Sequence, residues 1–226
     1  MSKGMLLEHS HRIFGFWFGE KPLSQLNNRC VESWQKFNPN FEIKIFNETE
    51  LDLTNEIVRH FFLRKQYAFL SDYLRLKELY ESGGVYCDMD IEFVSSIEPL
   101  LLCNKAIFGY EAKNRPNSAI VFAPPKNRFI GLALNIFEEN FYQKKPYLIA
   151  PEIFQIAMKK AEHDDFLCLS PEYFYPYNPF DTDRKVPQLM YSDITDKTVC
   201  IHHFEGGWKL SIPKRVGRFL RRLIFS

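Results

Sequence analysis

Apolar and polar residues fall along this chain in blocks whose period changes from strand to helix and back. Ile13 to Phe18 is apolar almost throughout and ends at Gly19, the pattern of a buried strand. Ser24 stands where an N-cap would open a helix running to about Phe37, and Asn38-Pro39 stops it. Phe41 to Phe46 alternates as a second strand. Within Gln66 to Ser82, residues Phe69, Tyr73, Leu76 and Tyr80 recur at helical spacing, and Gly83-Gly84 closes that helix. Val85 onward is extended again and leads into Asp88. Ile107 to Tyr110 and Ala119 to Ala123 predict further strands, Phe129 to Phe141 and Glu152 to Glu162 predict helices, and Thr198 to Phe204 predicts a late strand. Strands alternating with helices predict an α/β fold with a central, mostly parallel sheet flanked by helices. Ligands of such sheets bind beyond the carboxyl ends of strands. Three places qualify: Trp17-Phe18-Gly19, Asp88-Met89-Asp90 and His202-His203.

Composition narrows the function without naming it. The 226 residues, 46% apolar and 25% charged, suffice for one sizeable core. A single domain is expected over residues 1–212, followed by a tail over residues 213–226. The net charge of +1 provides no global field for nucleic acid, so no nucleic-acid partner is expected. Aromatic residues make up 16% of the chain, and these fill cores or stack on flat rings. The five cysteines are scattered and never form a C-x-x-C pair, which fits reduced thiols in a cytoplasmic protein. The first nine residues lack the apolar run of a signal peptide, and no stretch approaches the roughly 20 apolar residues that span a bilayer. Localisation is therefore expected to be cytoplasmic, with at most peripheral attachment to the inner face of the plasma membrane. The tail is the candidate for that attachment. On a helical wheel Val216, Phe219, Leu220, Leu223 and Ile224 share one side, and Lys214, Arg215, Arg218, Arg221 and Arg222 the other. This division suits an anionic membrane surface, and it equally suits a helix docked on its own domain.

The densest chemical signal runs from Ser71 to Asp90. Asp88 and Asp90 lie two apart on an extended run, so their side chains point to the same side. Two such oxygen donors, with water and phosphate, suit Mg²⁺ or Mn²⁺. An ion held there can clamp a diphosphate and neutralise a leaving group. Asp72 and Arg75 lie three apart on the preceding helix and share a face. They can hold the hydroxyls of a sugar, or they can be a helix-surface ion pair. Asp-x-Asp alone is weak evidence, because Asp181-Thr182-Asp183 repeats the spacing in what reads as a solvated turn. What sets Asp88-Met89-Asp90 apart is the order of helix, Gly-Gly, apolar strand and carboxylate pair.

That run, Ser-Asp-x-x-Arg followed by Leu-x-x-x-Gly-Gly-x-Tyr-x-Asp-x-Asp, resembles the Asp-x-Asp glycosyltransferases. The family includes bacterial capsule and lipooligosaccharide sugar transferases, yeast-type α-mannosyltransferases and, more distantly, the clostridial glucosylating toxins. Phe16-Trp17-Phe18-Gly19 resembles the family's first strand, whose Trp stacks on the donor base. His202-His203-Phe204-Glu205-Gly206-Gly207-Trp208 resembles the closing segment that returns to metal and diphosphate. The resemblance implies a GT-A-type fold, Mn²⁺ or Mg²⁺ as cofactor, and transfer with retention of anomeric configuration. It implies a nucleotide-sugar donor, a UDP-sugar by family habit, and a glycan or lipid-linked oligosaccharide acceptor in bacterial surface polysaccharide synthesis. Asp72 and Arg75 would hold the donor sugar, Asp88 the ribose or sugar, and Asp90 the metal. Trp17, Phe18 and Trp208 would contact the nucleotide or sugar. His202 and His203 are sequence neighbours on an extended segment, so at most one faces the site; His203 is taken as the third metal ligand, with Glu205 or water as the alternatives where relatives use the Ser that Gly207 replaces.

Two positions depart from the family pattern. Phe14-Gly15-Phe16 stands where relatives carry a His, and Gly207 stands where they often carry a Ser. These departures support the alternative of a non-catalytic pseudo-transferase acting as a scaffold. A nucleotidyltransferase would want a phosphate loop after the first strand, and Gly19-Glu20-Lys21-Pro22 is a poor one. The acceptor's side of the cleft is expected to draw on Phe108 to Phe122, with Glu111, Asn114 and Asn117.

Overall fold

A computed structural model describes residues 11–205 apart from 182, 183, 185 and 187. Trp208 and the tail over residues 213–226 lie outside the described residues. Six strands form the main sheet: β1 (Arg12–Phe16), β2 (Glu42–Phe46), β3 (Gly84–Cys87), β5 (Ala106–Ala112), β6 (Arg115–Ala123) and β7 (Phe166–Leu169), in the order β2-β1-β3-β6-β5-β7. Three of the five pairings are parallel, and β6 alone runs against its neighbours. A second, two-stranded antiparallel sheet pairs β4 (Ile91–Phe93) with β8 (Cys200–His202).

Side chains alternate between two cores, as the two-residue period of strands requires. Phe14, Tyr86, Phe108 and Val121 point to one face of the sheet. There they pack against α2 (Glu56–Leu63), α3 (Tyr67–Ser82), α4 (Arg128–Tyr142) and α5 (Ala150–Lys160). Ile13, Val85, Cys87, Ile107 and Ile120 point to the other, toward Trp34 of α1 (Gln25–Phe37) and the small sheet. This is the α/β sandwich that the sequence predicts.

Local chemistry explains the boundaries that matter for function. Ser24 caps α1 reciprocally: its Oγ accepts from Asn27 N at 3.1 Å, and Asn27 Oδ1 accepts from Ser24 N at 3.3 Å. At the end of α3, Gly83 takes φ +70° and Gly84 φ +111°. A Cβ on Gly83 would lie 2.6 Å from Pro125 Cδ, so the turn that feeds β3 admits no side chain there. Arg12 fastens the same turn, donating to Gly83 O at 2.8 and 2.9 Å and to Glu78 Oε1 at 2.8 Å. Helix α3 therefore ends in a rigid corner, and β3 delivers Asp88 from a fixed starting point.

Several elements carry too little pattern to be predicted from the sequence. Helix α2 has eight residues, β4 three and β7 four. The two strands predicted at Ile107 and Ala119 extend toward each other to form the β5–β6 hairpin, whose turn holds Asn114 at φ +57°.

Candidate active site

The site lies at the carboxyl end of β3. Asp88 N donates to Ala119 O at 2.7 Å, which pins the first carboxylate to β6 after β3 ends. Ile91 N then donates to Asp88 O at 3.0 Å and turns the chain into β4, so Asp90 swings back toward β8.

Asp72 and Arg75 are no surface pair, being only 7% and 6% exposed. The Arg75 guanidinium reaches Asp72 Oδ1 at 2.9 Å and Asp88 Oδ1 at 3.3 Å. It also donates to Ser118 O at 2.7 Å and lies 4.3 Å over the Tyr86 ring. The Tyr86 hydroxyl donates to Asp88 Oδ1 as well. Asp72 Oδ2 accepts from Ala150 N at 3.1 Å, at the start of α5. One cation thus organises two carboxylates, a strand carbonyl and an aromatic face. A planar guanidinium can do this and an ammonium cannot.

Asp90 is fixed from the closing segment. Its Oδ2 accepts from Glu205 N at 2.8 Å, and His202 Nε2 lies 3.4 Å from its Oδ1. Glu205 in turn accepts from Asn27 Nδ2 at 2.8 Å, which ties the segment to α1. Burial alone would raise the Asp90 carboxyl, but His202 and the Glu205 N–H outweigh it and hold it below the usual carboxylate range. Burial pushes Asp88 upward against the pull of Arg75, and the neighbouring charge of Asp90 adds to the rise. For His202 burial disfavours the cation, yet the adjacent Asp90 carboxylate prevails and raises it.

The ligand-type atoms of Asp88, Asp90 and His202 all lie within 4.8 Å of one another. The buried Nδ1 of His202 has no hydrogen-bond partner among the described residues. Two carboxylates and an imidazole converging in this way fit a divalent ion. The nitrogen donor suits Mn²⁺ better than Mg²⁺, which prefers oxygen alone. His203, the ligand expected from sequence, points elsewhere: its Nε2 lies 2.7 Å from Glu92 Oε2. The alternation of an extended segment turns one histidine toward the carboxylates and its neighbour away, and it is His202 that faces them.

The expected nucleotide contacts divide. Trp17 lies at the exit of β1, partly exposed, with Nε1 donating to Lys21 O at 2.7 Å and N to Phe46 O at 2.9 Å. Phe18 is 1% exposed, its ring stacked on Phe16 at 5.8 Å. Its side chain belongs to the core and presents no face to a base. Trp208 lies outside the described residues. Tyr86 and Ser118 join the site without having been singled out, and Glu205, a candidate for the closing segment's ligand, meets Asp90 through its backbone N–H. Tyr86 occupies a fixed place in the Gly-Gly-x-Tyr-x-Asp motif, which was a usable signal. Ser118 acts through its carbonyl on a distant strand, and no sequence pattern announces that.

Sheet order and the strand-end carboxylates define an α/β fold of GT-A type, with the buried Asp72–Arg75 pair beside its strand-end site. Over residues 24–107 the chain carries the family region described as "Glycosyltransferase sugar-binding region containing DXD motif". The solved structure entitled "PaToxG Glycosyltransferase" superposes with a TM-score of 0.57 at 18% identity, covering 67% of this chain and 69% of that one. A glycosyltransferase involved in the glycosylation of the major capsid of PBCV-1 overlaps more loosely. Its TM-score is 0.46 at 11% identity, over 92% of this chain and 98% of that one. No curated protein shows significant sequence similarity to the chain.

Proposed function

We propose that the chain transfers a hexose from a nucleotide-sugar, a UDP-sugar, to a glycan or lipid-linked oligosaccharide, with retention of anomeric configuration and dependence on Mn²⁺. The observation that carries this reading is the convergence of Asp88, Asp90 and His202 beside the buried Asp72–Arg75 pair. Asp88, Asp90 and His202 would hold the ion, which when bound supplies positive charge to the donor diphosphate. Arg75 orients Asp72 and Asp88, and these carboxylates accept hydrogen bonds from donor hydroxyls. Trp17 provides a partly exposed ring at the end of β1 for the base. The cluster is fixed by Ala119, Ser118, Ala150 and Glu205 before any ligand arrives, so positioning and electrostatics supply most of the acceleration. The acceptor hydroxyl attacks from the face that the diphosphate leaves.

The biological setting proposed is assembly of bacterial surface polysaccharide or lipooligosaccharide, with residues 213–226 meeting an anionic membrane. No helix among the described residues is long and apolar enough to cross one. The test is donor hydrolysis: a panel of UDP- and GDP-sugars with Mn²⁺ or EDTA, beside Asp90→Asn. Metal-dependent nucleotide release from one donor, lost in the variant, supports the reading. Absence of both release and binding for every donor refutes it.

A further inference from the structure

We propose that Phe180 and Phe204, rimmed by the Glu111–Arg115 ion pair, form a seat for one pyranose ring of the acceptor, a proposal that rests on the transferase reading above. Phe180 is 69% exposed in a fold that otherwise buries most of its phenylalanines. It contacts the Phe204 ring edge-on at 5.9 Å, and Phe204 lies 3.9 Å from the ring of His202. An exposed aromatic face thus begins two ring contacts from the Asp88–Asp90–His202 cluster. Aromatic faces receive the C–H face of a sugar ring while its hydroxyls turn to polar neighbours.

Those neighbours are present. Arg115 Nη2 lies 2.8 Å from Glu111 Oε1; the arginine is 56% exposed, while the Glu111 side chain is 12% exposed and also accepts from Asn117 Nδ2. The two subsites are fastened together by Asn178, whose Nδ2 donates to Glu111 O at 3.2 Å and whose Oδ1 accepts from Phe180 N at 2.9 Å. Phe204 itself takes φ +55°, a left-handed conformation that costs a bulky residue energy. Flanking hydrogen bonds enforce it: His203 N donates to Asp90 O at 3.0 Å, and Glu205 N to Asp90 Oδ2. The strain is held by the residue at the heart of the cluster, and it places the Phe204 ring on His202. An exposed guanidinium on the segment that Asn178 ties to the Phe180 loop can donate to hydroxyls of a neutral hexose stacked on the rings.

The experiment is saturation-transfer NMR with methyl glycosides of glucose, galactose, mannose and N-acetylglucosamine and with lactose and maltose. It compares wild-type protein, Phe180→Ala and Phe180→Tyr, each checked by thermal melting, with Mn²⁺ and UDP present. At least one glycoside should receive saturation from the wild type, fall at least fivefold in Phe180→Ala and persist in Phe180→Tyr. Absence of transfer to every glycoside, or transfer unchanged in Phe180→Ala, overturns the seat. Donor hydrolysis by the wild type is scored in parallel. Hydrolysis without glycoside contact sinks the seat and leaves the transferase reading standing. Phe180-dependent contact with neither release nor binding of any donor refutes the transferase reading and, with it, the acceptor role of the seat.

Discussion

The backbone N–H of Glu205 donates to Asp90 Oδ2 at 2.8 Å, joining the end of the described chain to the strand-end carboxylate 115 positions earlier. Asp90 therefore has its orientation set before an ion is bound, with one oxygen committed and the other beside His202. Replacing it with Asn keeps the shape and removes the charge. Asp90→Asn should lose metal-dependent nucleotide release by several orders of magnitude while its far-UV circular dichroism stays that of the wild type. Turnover within tenfold of the wild type would remove Asp90 from the metal site.

The two adjacent histidines make opposite predictions. His202→Ala removes a nitrogen donor, and Mn²⁺ affinity followed by electron paramagnetic resonance should fall by about 100-fold or more, beyond the usual effect of outer partners. His203→Ala releases Glu92 alone and should change the affinity by less than about tenfold. A reversed ranking would restore His203 as the ligand.

Removing the central cation should be costly for the fold as well as for the chemistry. Arg75→Ala leaves Asp72 buried without its ion pair and Asp88 without its guanidinium neighbour. The expected loss is about 3–5 kcal/mol in urea unfolding. Arg75→Lys keeps the charge but cannot span Asp72, Asp88 and Ser118 O together, so its recovery should be partial. Full recovery with Lys would show that charge alone, without the fork, suffices.

Stability should fall at alkaline pH. Burial pushes the Cys30 and Cys168 thiols up to about 12 and raises Cys87 and Cys200 strongly. Tyr86 and Tyr175 are raised as well, again chiefly by burial. The unfolded chain releases these protons from about pH 8.5 for Cys and about pH 10 for Tyr, while the native state keeps them. The native state binds more protons, so stability is whole below about pH 8.5 and is lost as pH rises toward the folded values. Each such group contributes a slope of up to about 1.4 kcal/mol per pH unit. Urea midpoints at pH 7.5, 9 and 10 should decline progressively, and a flat profile would contradict the burial of the thiols.

Vesicle sedimentation tests the tail. With five basic residues and no acidic one between Lys214 and Arg222, full-length protein should sediment with phosphatidylglycerol vesicles. Protein ending at Pro213 should remain in the supernatant. Equal partition of the two forms would dismiss the membrane contact.

The sequence displayed most of this fold because its long elements are strongly patterned. Helix α3 carries its apolar face, its Gly-Gly stop and the strand after it in one continuous stretch, and Asp72, Arg75, Asp88 and Asp90 all lie there. Interactions across distant stretches were not legible. Nothing near Ser118 signals that its carbonyl receives Arg75, and nothing in His202-His203 says which of two alternating side chains faces Asp90. The inward turn of the Phe18 ring was illegible for a related reason: a strand-end aromatic looks the same whether it stacks inward or outward, and here it turns onto Phe16. Short elements such as β4 and β7 rely on neighbours for their hydrogen bonds, and a local reading cannot see neighbours.

Strand β6, reversed against the rest of the sheet, has a consequence for how such a molecule can change over time. Because it runs backward, its first residues arrive at the same rim where β3 releases Asp88, although the two stretches are separate in the chain. One rim is thereby assembled from two stretches far apart in the chain, joined at Ser118 and Ala119: residues 72–90 on one side, and the β5–β6 hairpin with the loop around Phe180 on the other. Insertions or substitutions at the hairpin tip, away from Ser118 and Ala119, and in that loop can reshape one wall without touching the Asp72–Arg75–Asp88 bonds. The scaffold is divided so that selectivity can drift while the reacting centre is inherited intact.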